Sequence, residues 1–159
     1  AQGLADEGVL PVLKHMPGHG LARVDSHFQL PRVGASLAEL RENDFKPFTA
    51  LKDWPMGMSA HVVYEEIDDL PATISPKMIR LIREEIGFDG LLMSDDISME
   101  ALGGSLAERS TAALAAGCDV ILHCNGRLDD MQQVAAASGV LSPEGQRRAL
   151  AALHRRSDS

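Results

Sequence analysis

The chain has 159 residues, 45% of them hydrophobic, and is therefore long enough for one globular domain with a buried core. Its net charge of −8 at pH 7 argues against a surface for nucleic acid or anionic membranes, because both need clustered lysine and arginine. No apolar run approaches the roughly 18 residues that a membrane span requires.

The first predicted strand is the apolar run at residues 9–13. A polar cluster follows it directly, at residues 14–20 and 25–27, and holds three of the six histidines of the chain. Such a concentration of histidine, lysine, aspartate and glycine is not typical of a packed core. In parallel α/β proteins, ligands bind at the carboxyl ends of the strands. The cluster is therefore the first candidate for a functional site.

A helix and a second strand are predicted next. Ser36 and Glu39 form a capping-box signature for a helix that extends to about residue 51. Pro47 is expected to kink or break this helix. Residues 56–63 predict a second strand, which again ends near a histidine, His61.

The following unit repeats the same organisation. Ser75 as N-cap and Pro76 at the first helical position predict a helix to residue 85 or 86, which Gly87 closes. Residues 90–94 predict a third strand. This strand is apolar throughout, as expected for a parallel strand covered on both faces, and two acidic residues follow it.

The last third of the chain predicts one strand and three helices. Ser105 and Glu108 form a second capping box, for a helix that Gly117 ends. A fourth strand is predicted at residues 119–125. The two remaining helices are predicted near residues 129–137 and 143–155.

Two cysteines, Cys118 and Cys124, flank the fourth predicted strand. A strand of this length would hold them roughly 20 Å apart, whereas a disulfide needs Cα atoms within about 7 Å. We therefore expect two unpaired thiols, which predicts a reducing, cytoplasmic environment.

Four successive units of strand, polar loop and helix predict a parallel sheet with right-handed crossovers. An open doubly wound sheet and part of a (β/α)₈ TIM barrel both fit this order. Residues 17–20 lack the spacing of a dinucleotide-binding glycine loop, and no helix begins directly after them. The barrel explains why polar residues end all four strands. These residues are Lys14 and His15, His61, Asp95 and Asp96, and Asn125.

A complete barrel takes roughly 250 residues, so this chain can supply about half of one. The sequence also begins with Ala1 rather than methionine. We therefore expect residues 1–159 to form one partial barrel domain within a longer protein.

Two groups of residues could carry out chemistry. Asp95 and Asp96 end an apolar strand, where carboxylates without partners would be costly, and alternation along the strand directs at most one of them into the barrel mouth. In an extended loop, Asp25 and His27 would lie on the same side, because residues i and i+2 share a side. There the carboxylate could hold the imidazole in one tautomer and raise its pKa, as expected of an acid/base residue and the group that orients it.

Four motifs in this order resemble the glycoside hydrolase family 3 β-N-acetylglucosaminidases of bacterial cell-wall recycling. They are Lys14-His15-Met16-Pro17-Gly18-His19-Gly20, Asp25-Ser26-His27, Ser59-Ala60-His61-Val62 and Ser94-Asp95-Asp96-Ile97-Ser98-Met99-Glu100. Met16 departs from the family pattern, which has phenylalanine before the motif proline. The resemblance extends from about Val9 to Asn125 and implies the C-terminal half of a TIM barrel.

The resemblance also implies a retaining glycosidase that removes terminal non-reducing N-acetylglucosamine from muropeptides derived from peptidoglycan. Asp95 would be the nucleophile that forms a glycosyl-enzyme, and His27, oriented by Asp25, would be the acid/base. Lys14 and His15 would hold sugar hydroxyls. The same resemblance makes His61 a pocket residue. It implies no metal or organic cofactor, and it makes the missing N-terminal half-barrel the expected partner.

Two other functions compete with this interpretation. A metal-dependent hydrolase could use ligands from one rim, although no established ligand spacing is present. Its candidate ligands are His15, His19, Asp25, His27 and His61. A non-catalytic fragment that binds sugar, or that completes another chain, would need no chemistry at these positions.

Overall fold

The computed structural model describes residues 1–22, 24, 26 and 29–157, with side chains up to residue 155. Within this part of the chain, six strands form two parallel sheets. The strands are β1 (Val12–Met16), β2 (Arg32–Val33), β3 (Met56–Ser59), β4 (Val63–Tyr64), β5 (Leu91–Asp96) and β6 (Val120–Leu122). The main sheet has the order β1-β3-β5-β6, and β2 pairs with β4 in a smaller sheet.

Helical segments connect the strands of the main sheet. The helices are α1 (Gln2–Ala5), α2 (Leu37–Glu42), α3 (Lys46–Ala50), α4 (Pro76–Arg80), α5 (Leu106–Ala116), α6 (Leu128–Ser138) and α7 (Pro143–Ser157). A 3₁₀ turn at Ala72–Ile74 precedes α4, and a π-helical turn at Leu81–Glu85 follows it. The predicted α/β fold with four parallel strands and flanking helices is confirmed.

The first strand differs from its prediction. β1 begins at Val12 and includes Lys14 and His15, so these two residues lie within the strand and not after it. The register of the parallel pairing with β3 shifts between Leu13 and Met16, and the pairing resumes where Met16 lies beside Ser59. Backbone pairing does not depend on side-chain polarity. The prediction from hydrophobicity therefore ended the strand too early.

The second and fourth predicted strands are shorter than expected. β3 ends at Ser59, and the backbone N–H of Val63 donates instead to the Pro31 carbonyl, 2.9 Å away, at the start of the β2-β4 sheet. β6 covers only three residues, and the N–H of Cys124 donates to the Asp96 carboxylate and not to a neighbouring strand. The sequence did not predict the smaller sheet.

The predicted helix starts are confirmed by side-chain caps. The Ser36 hydroxyl accepts from the Glu39 N–H, and Ser75 accepts from the Met78 N–H. Ser105 completes a full capping box with Glu108. The helix predicted from residue 36 breaks into α2 and α3, with proline in the first turn of α3.

The core lies between the main sheet and its helices. α5 packs against α6 and β6, and α7 contacts β5. The largest fully buried side chains of the core include Phe45, Tyr64, Phe88, Met16, Leu40, Met78, Ile82 and Leu92. Both cysteines, Cys118 and Cys124, are unpaired as predicted. None of the helices in the described ranges is long and apolar enough to cross a membrane.

Gly90, just before β5, allows close backbone packing. A Cβ at this position would lie 2.6 Å from the carbonyl oxygen of Trp54 and 2.8 Å from that of Pro55. The second carbonyl accepts the Leu91 N–H that begins the pairing of β5 with β3. Any extra atom here therefore meets backbone, which cannot rotate away.

Replacing Gly90 by alanine is expected to lower the free energy of unfolding by about 1–3 kcal/mol, the range for overpacking a filled interior. Urea titration followed by circular dichroism would measure this change. Gly103→Ala is the matched control, because a Cβ at Gly103 has nothing within 4 Å. Equal losses in the two variants would contradict the packing argument.

Candidate active site

The carboxyl ends of three main-sheet strands bring four of the predicted residues together. His15 lies near the end of β1, His61 follows β3, and Asp95 and Asp96 end β5. Asn125 follows β6, where its amide donates to the Asp130 carboxylate at 3.3 Å. Asp25 and His27, the predicted orienting and acid/base pair, lie outside the described residues.

Asp95 is a buried carboxylate with one fixed and one less constrained oxygen. The residue is 7% exposed. Its Oδ1 accepts the N–H of Asp96 at 2.8 Å, and its Oδ2 lies 3.7 Å from Nε2 of His15. The Asp95 carboxylate is therefore held in place by its own strand and faces the imidazole of the neighbouring β1 end.

His15 is partly buried beside this carboxylate. Burial is the largest influence on its pKa and lowers it. The nearby Asp95 opposes this shift, and Lys14 and His19 add to it. The net downward shift of the pKa favours the neutral form of the His15 imidazole. A neutral ring can both donate and accept a hydrogen bond, as recognition of sugar hydroxyls requires.

The carboxylate of Asp96 has different hydrogen-bond partners from the carboxylate of Asp95. Its carboxylate accepts from the Ser98 N–H, the Ser98 hydroxyl and the Cys124 N–H, at distances of 2.7–3.1 Å. Burial would raise the pKa of Asp96, but these hydrogen bonds together hold it below its usual value. Of the two acids that the sequence could not separate, Asp96 joins the loops after β5 and β6, whereas Asp95 faces His15.

His61 is completely buried, and both of its ring nitrogens have partners inside the protein. Nδ1 lies 2.8 Å from the Thr73 hydroxyl, and Nε2 lies 3.0 Å from the Asp96 carbonyl oxygen. The Thr73 hydroxyl also lies 2.8 Å from the Ser59 hydroxyl. No sequence motif includes Thr73, which lies in the 3₁₀ turn at Ala72–Ile74.

The turn after β1 is fixed by residues that the sequence analysis missed. The Tyr64 hydroxyl donates to the Gly18 carbonyl. Gly18 has a φ of +151°, and a Cβ there would lie 2.7 Å from the backbone oxygen of Asp44. Tyr64 is the one tyrosine of the chain, but nothing in the local sequence connects it to a turn 46 residues away.

Lys14 is exposed. Two peptide bonds of β1 and the turn after it are cis, the bond between Lys14 and His15 and the bond between Met16 and Pro17.

Among residues 1–22, 24, 26 and 29–157, no three His, Cys, Asp or Glu side chains are arranged to hold a metal ion. The described members of the metal-ligand alternative, His15, His19 and His61, thus form no ligand set by themselves.

A parallel α/β sheet with a buried carboxylate and an imidazole at its carboxyl edge is typical of enzymes that act on small polar substrates. The family is shown by sequence: residues 1–149 match the model of the glycosyl hydrolase family 3 N terminal domain, and the chain belongs to this family.

Curated relatives are β-hexosaminidases. The chain is 38% identical over 151 residues to that of Idiomarina loihiensis, an alignment that covers 92% of this chain and 46% of the relative. It is 44% identical over 128 residues to that of Alkalilimnicola ehrlichii, which covers 77% of this chain and 37% of the relative. The chain therefore spans less than half the length of either protein.

Solved structures agree with the family. A glycoside hydrolase family 3 β-N-acetylglucosaminidase from Paenibacillus sp. superimposes with a TM-score of 0.90 at 31% identity, covering 99% of this chain and 33% of that one. NagZ from Neisseria gonorrhoeae in complex with N-trifluoroacetyl-D-glucosamine superimposes with a TM-score of 0.83 at 33% identity, covering 99% of this chain and 48% of that one.

Proposed function

We propose that this chain carries the catalytic half of a retaining β-N-acetylhexosaminidase that removes terminal β-N-acetylglucosamine from peptidoglycan-derived muropeptides. The observation that carries the proposal is the buried Asp95 carboxylate, which faces His15 at the carboxyl edge of a parallel sheet. The names of the relatives support the choice of sugar. The two unpaired cysteines favour action in the cytoplasm.

In the first chemical step, an oxygen of Asp95 attacks the anomeric carbon while the bond from that carbon to the leaving oxygen breaks. His27, oriented by Asp25, donates its proton to the leaving oxygen. In the second step, neutral His27 takes a proton from water, whose oxygen attacks the anomeric carbon and releases Asp95. A histidine replaces the second carboxylate of most retaining glycosidases, and its ordinary pKa near neutrality suits both proton transfers.

Lys14 and His15 are assigned to substrate binding. Lys14 is exposed within β1, where an ammonium group can donate to sugar hydroxyls. His15 contacts Asp95, so a sugar held by its ring would lie next to the attacking carboxylate. The substrate and the nucleophile are then brought together by neighbouring strands.

The proposed partner of this chain is the N-terminal half of the barrel. β1 and β6 are the edges of the described sheet, and unpaired edges favour pairing with further strands. A groove of about 740 Å³ adjoins β6, lined in part by Ile121, Met131 and Val134. Met131 is 48% exposed and Val140 beside it 94% exposed, as expected of a surface that another element covers. We call the chain together with this half the intact protein.

The isolated 159-residue chain is expected to have little or no activity on an aryl N-acetyl-β-glucosaminide, because half of the sugar site would be absent. Release of the aryl alcohol by the purified chain, compared with the intact protein at equal concentration, measures this. Turnover by the chain alone at a rate similar to that of the intact protein would contradict the need for a second half. No turnover by the intact protein on any β-N-acetylhexosaminide would reject the proposed function.

A further inference from the structure

A series of buried hydrogen bonds links the end of β3 to the backbone of Asp96, the residue after Asp95. Ser59, His61 and Thr73 are each completely buried. Their side chains are linked in series, from the Ser59 hydroxyl to the Thr73 hydroxyl at 2.8 Å and on to Nδ1 of His61 at 2.8 Å. The series ends at the Asp96 carbonyl, 3.0 Å from Nε2 of His61. Polar side chains buried this deeply are costly unless they are hydrogen-bonded, and each of these three has a partner.

The Asp96 carbonyl determines where the hydrogen of the His61 ring lies. A carbonyl oxygen can only accept, so Nε2 of His61 carries a hydrogen and donates it to Asp96. Burial lowers the pKa of His61, which favours a neutral ring. In a neutral ring Nδ1 is then an acceptor. The Thr73 hydroxyl carries one hydrogen, for which Nδ1 at 2.8 Å and the Ala60 carbonyl at 3.1 Å compete, and this carbonyl also accepts the Thr73 N–H at 3.2 Å.

The Asp96 backbone transmits this arrangement to Asp95. The Asp96 carbonyl is held by His61, and the Asp96 N–H donates to Oδ1 of Asp95 at 2.8 Å. Hydrogen bonds from Ser98 and Cys124 hold the Asp96 side chain. With Asp96 fixed at its N–H, carbonyl and carboxylate, the direction of the Asp95 carboxylate is also fixed, and Oδ2 remains on the side of His15.

We propose that His61 is a positioning residue, which donates its Nε2 hydrogen to the Asp96 carbonyl and thereby fixes the direction of the Asp95 carboxylate, and that it does not bind the sugar. This inference rests on the proposed function of Asp95 as nucleophile. It assigns His61 a role in the chemical step and not in substrate affinity.

The test compares two replacements of His61 in the intact protein. Glutamine can place an amide N–H near the position of Nε2 and keep the donation to Asp96, whereas asparagine is too short to do so. His61→Asn is expected to lower kcat about 10- to 100-fold, the cost of a misplacement of about 1 Å in a reacting group. His61→Gln is expected to recover most of this loss. The inhibition constant of free N-acetylglucosamine should stay unchanged in both variants.

A sugar-binding role would give another pattern. Both variants would then weaken binding of N-acetylglucosamine, and kcat/KM would fall through KM. Equal kcat values for His61→Asn and the wild type would also overturn the proposal. Thr73→Val removes the hydroxyl that orients the ring while conserving the shape of the side chain. It should lower kcat in the same direction by a smaller factor, and no change in kcat would contradict the hydrogen-bond series.

Nitrogen-15 NMR of the wild-type intact protein provides a readout that does not depend on the folding of any variant. The proposal expects a neutral His61 ring with its hydrogen on Nε2. A hydrogen on Nδ1 alone, or a charged ring at pH 7, would overturn it. The position of a covalent sugar label in the wild type tests the nucleophile separately, so a failure of the proposed function can be distinguished from a failure of the positioning role.

Discussion

Replacing Asp95 by asparagine in the intact protein is expected to lower kcat by about 10⁴-fold or more, the range observed when one member of a catalytic unit is removed. Asparagine conserves the size of the side chain and can still accept the Asp96 N–H at its amide oxygen. It has no carboxylate with which to attack the anomeric carbon. Steady-state kinetics with an aryl N-acetyl-β-glucosaminide would measure the loss.

The control for this variant is Glu100→Gln, which neutralises an exposed carboxylate shortly after the same strand. Its kcat is expected to stay within about twofold of the wild type, since exposed charges at a distance interact weakly. Similar kcat values for Asp95→Asn and Glu100→Gln would contradict the role of Asp95. A thermal unfolding scan of each variant separates loss of chemistry from loss of fold.

The second large effect is on stability and concerns Asp119, just before β6. Its carboxylate accepts from Arg83 at 2.6 Å, from the Leu92 N–H at 2.9 Å and from Arg148 at 2.9 Å. The Asp119 side chain is 4% exposed. This cluster connects the π-helical turn, β5 and α7 at the amino ends of the strands, opposite to the candidate active site.

Asp119→Asn is expected to lower the free energy of unfolding by about 3 kcal/mol, the lower end of the range for breaking a buried ion pair from one side. Burial lowers the pKa of Arg83, which shows that its guanidinium already lies where charge is costly. Removing Asp119 would leave this charge without its main partner. Urea titration of the wild type and the variant, analysed with a common slope, would give the difference.

Asp129→Asn is the matched control for the stability measurement. Asp129 is an exposed acid in the first turn of α6, where its charge interacts with the helix dipole for less than about 1 kcal/mol. If the two variants destabilise the chain equally, the Asp119 cluster contributes less than its geometry indicates.

The sequence predicted those parts of the fold that depend on neighbouring residues. The capping box of Ser105 and Glu108 and the end of α5 at Gly117 are local, because their partners lie within one helical turn. The apolar run of β5 is likewise a local pattern. Strand ends were less well predicted, since pairing between distant segments decides them, as for His15 within β1.

The candidate site divides in a similar way. Residue types and spacing predicted Asp95, Asp96 and His61 as candidates, but alternation along a strand could not decide which acid lies beside His15. That distinction depends on Cys124, whose N–H reaches Asp96 from 28 residues away. Thr73 could not be predicted, because its hydroxyl meets His61 only after the 3₁₀ turn packs against the end of β3.

The central claim is that Asp95 forms the covalent bond to the sugar. A fluorinated glycosyl donor that traps the glycosyl-enzyme, followed by peptide mass spectrometry of the intact protein, tests it most directly. We predict a single label, located on Asp95. A label on Asp96 or on any other residue, or continued hydrolysis of the aryl substrate without any trapped label, would contradict it.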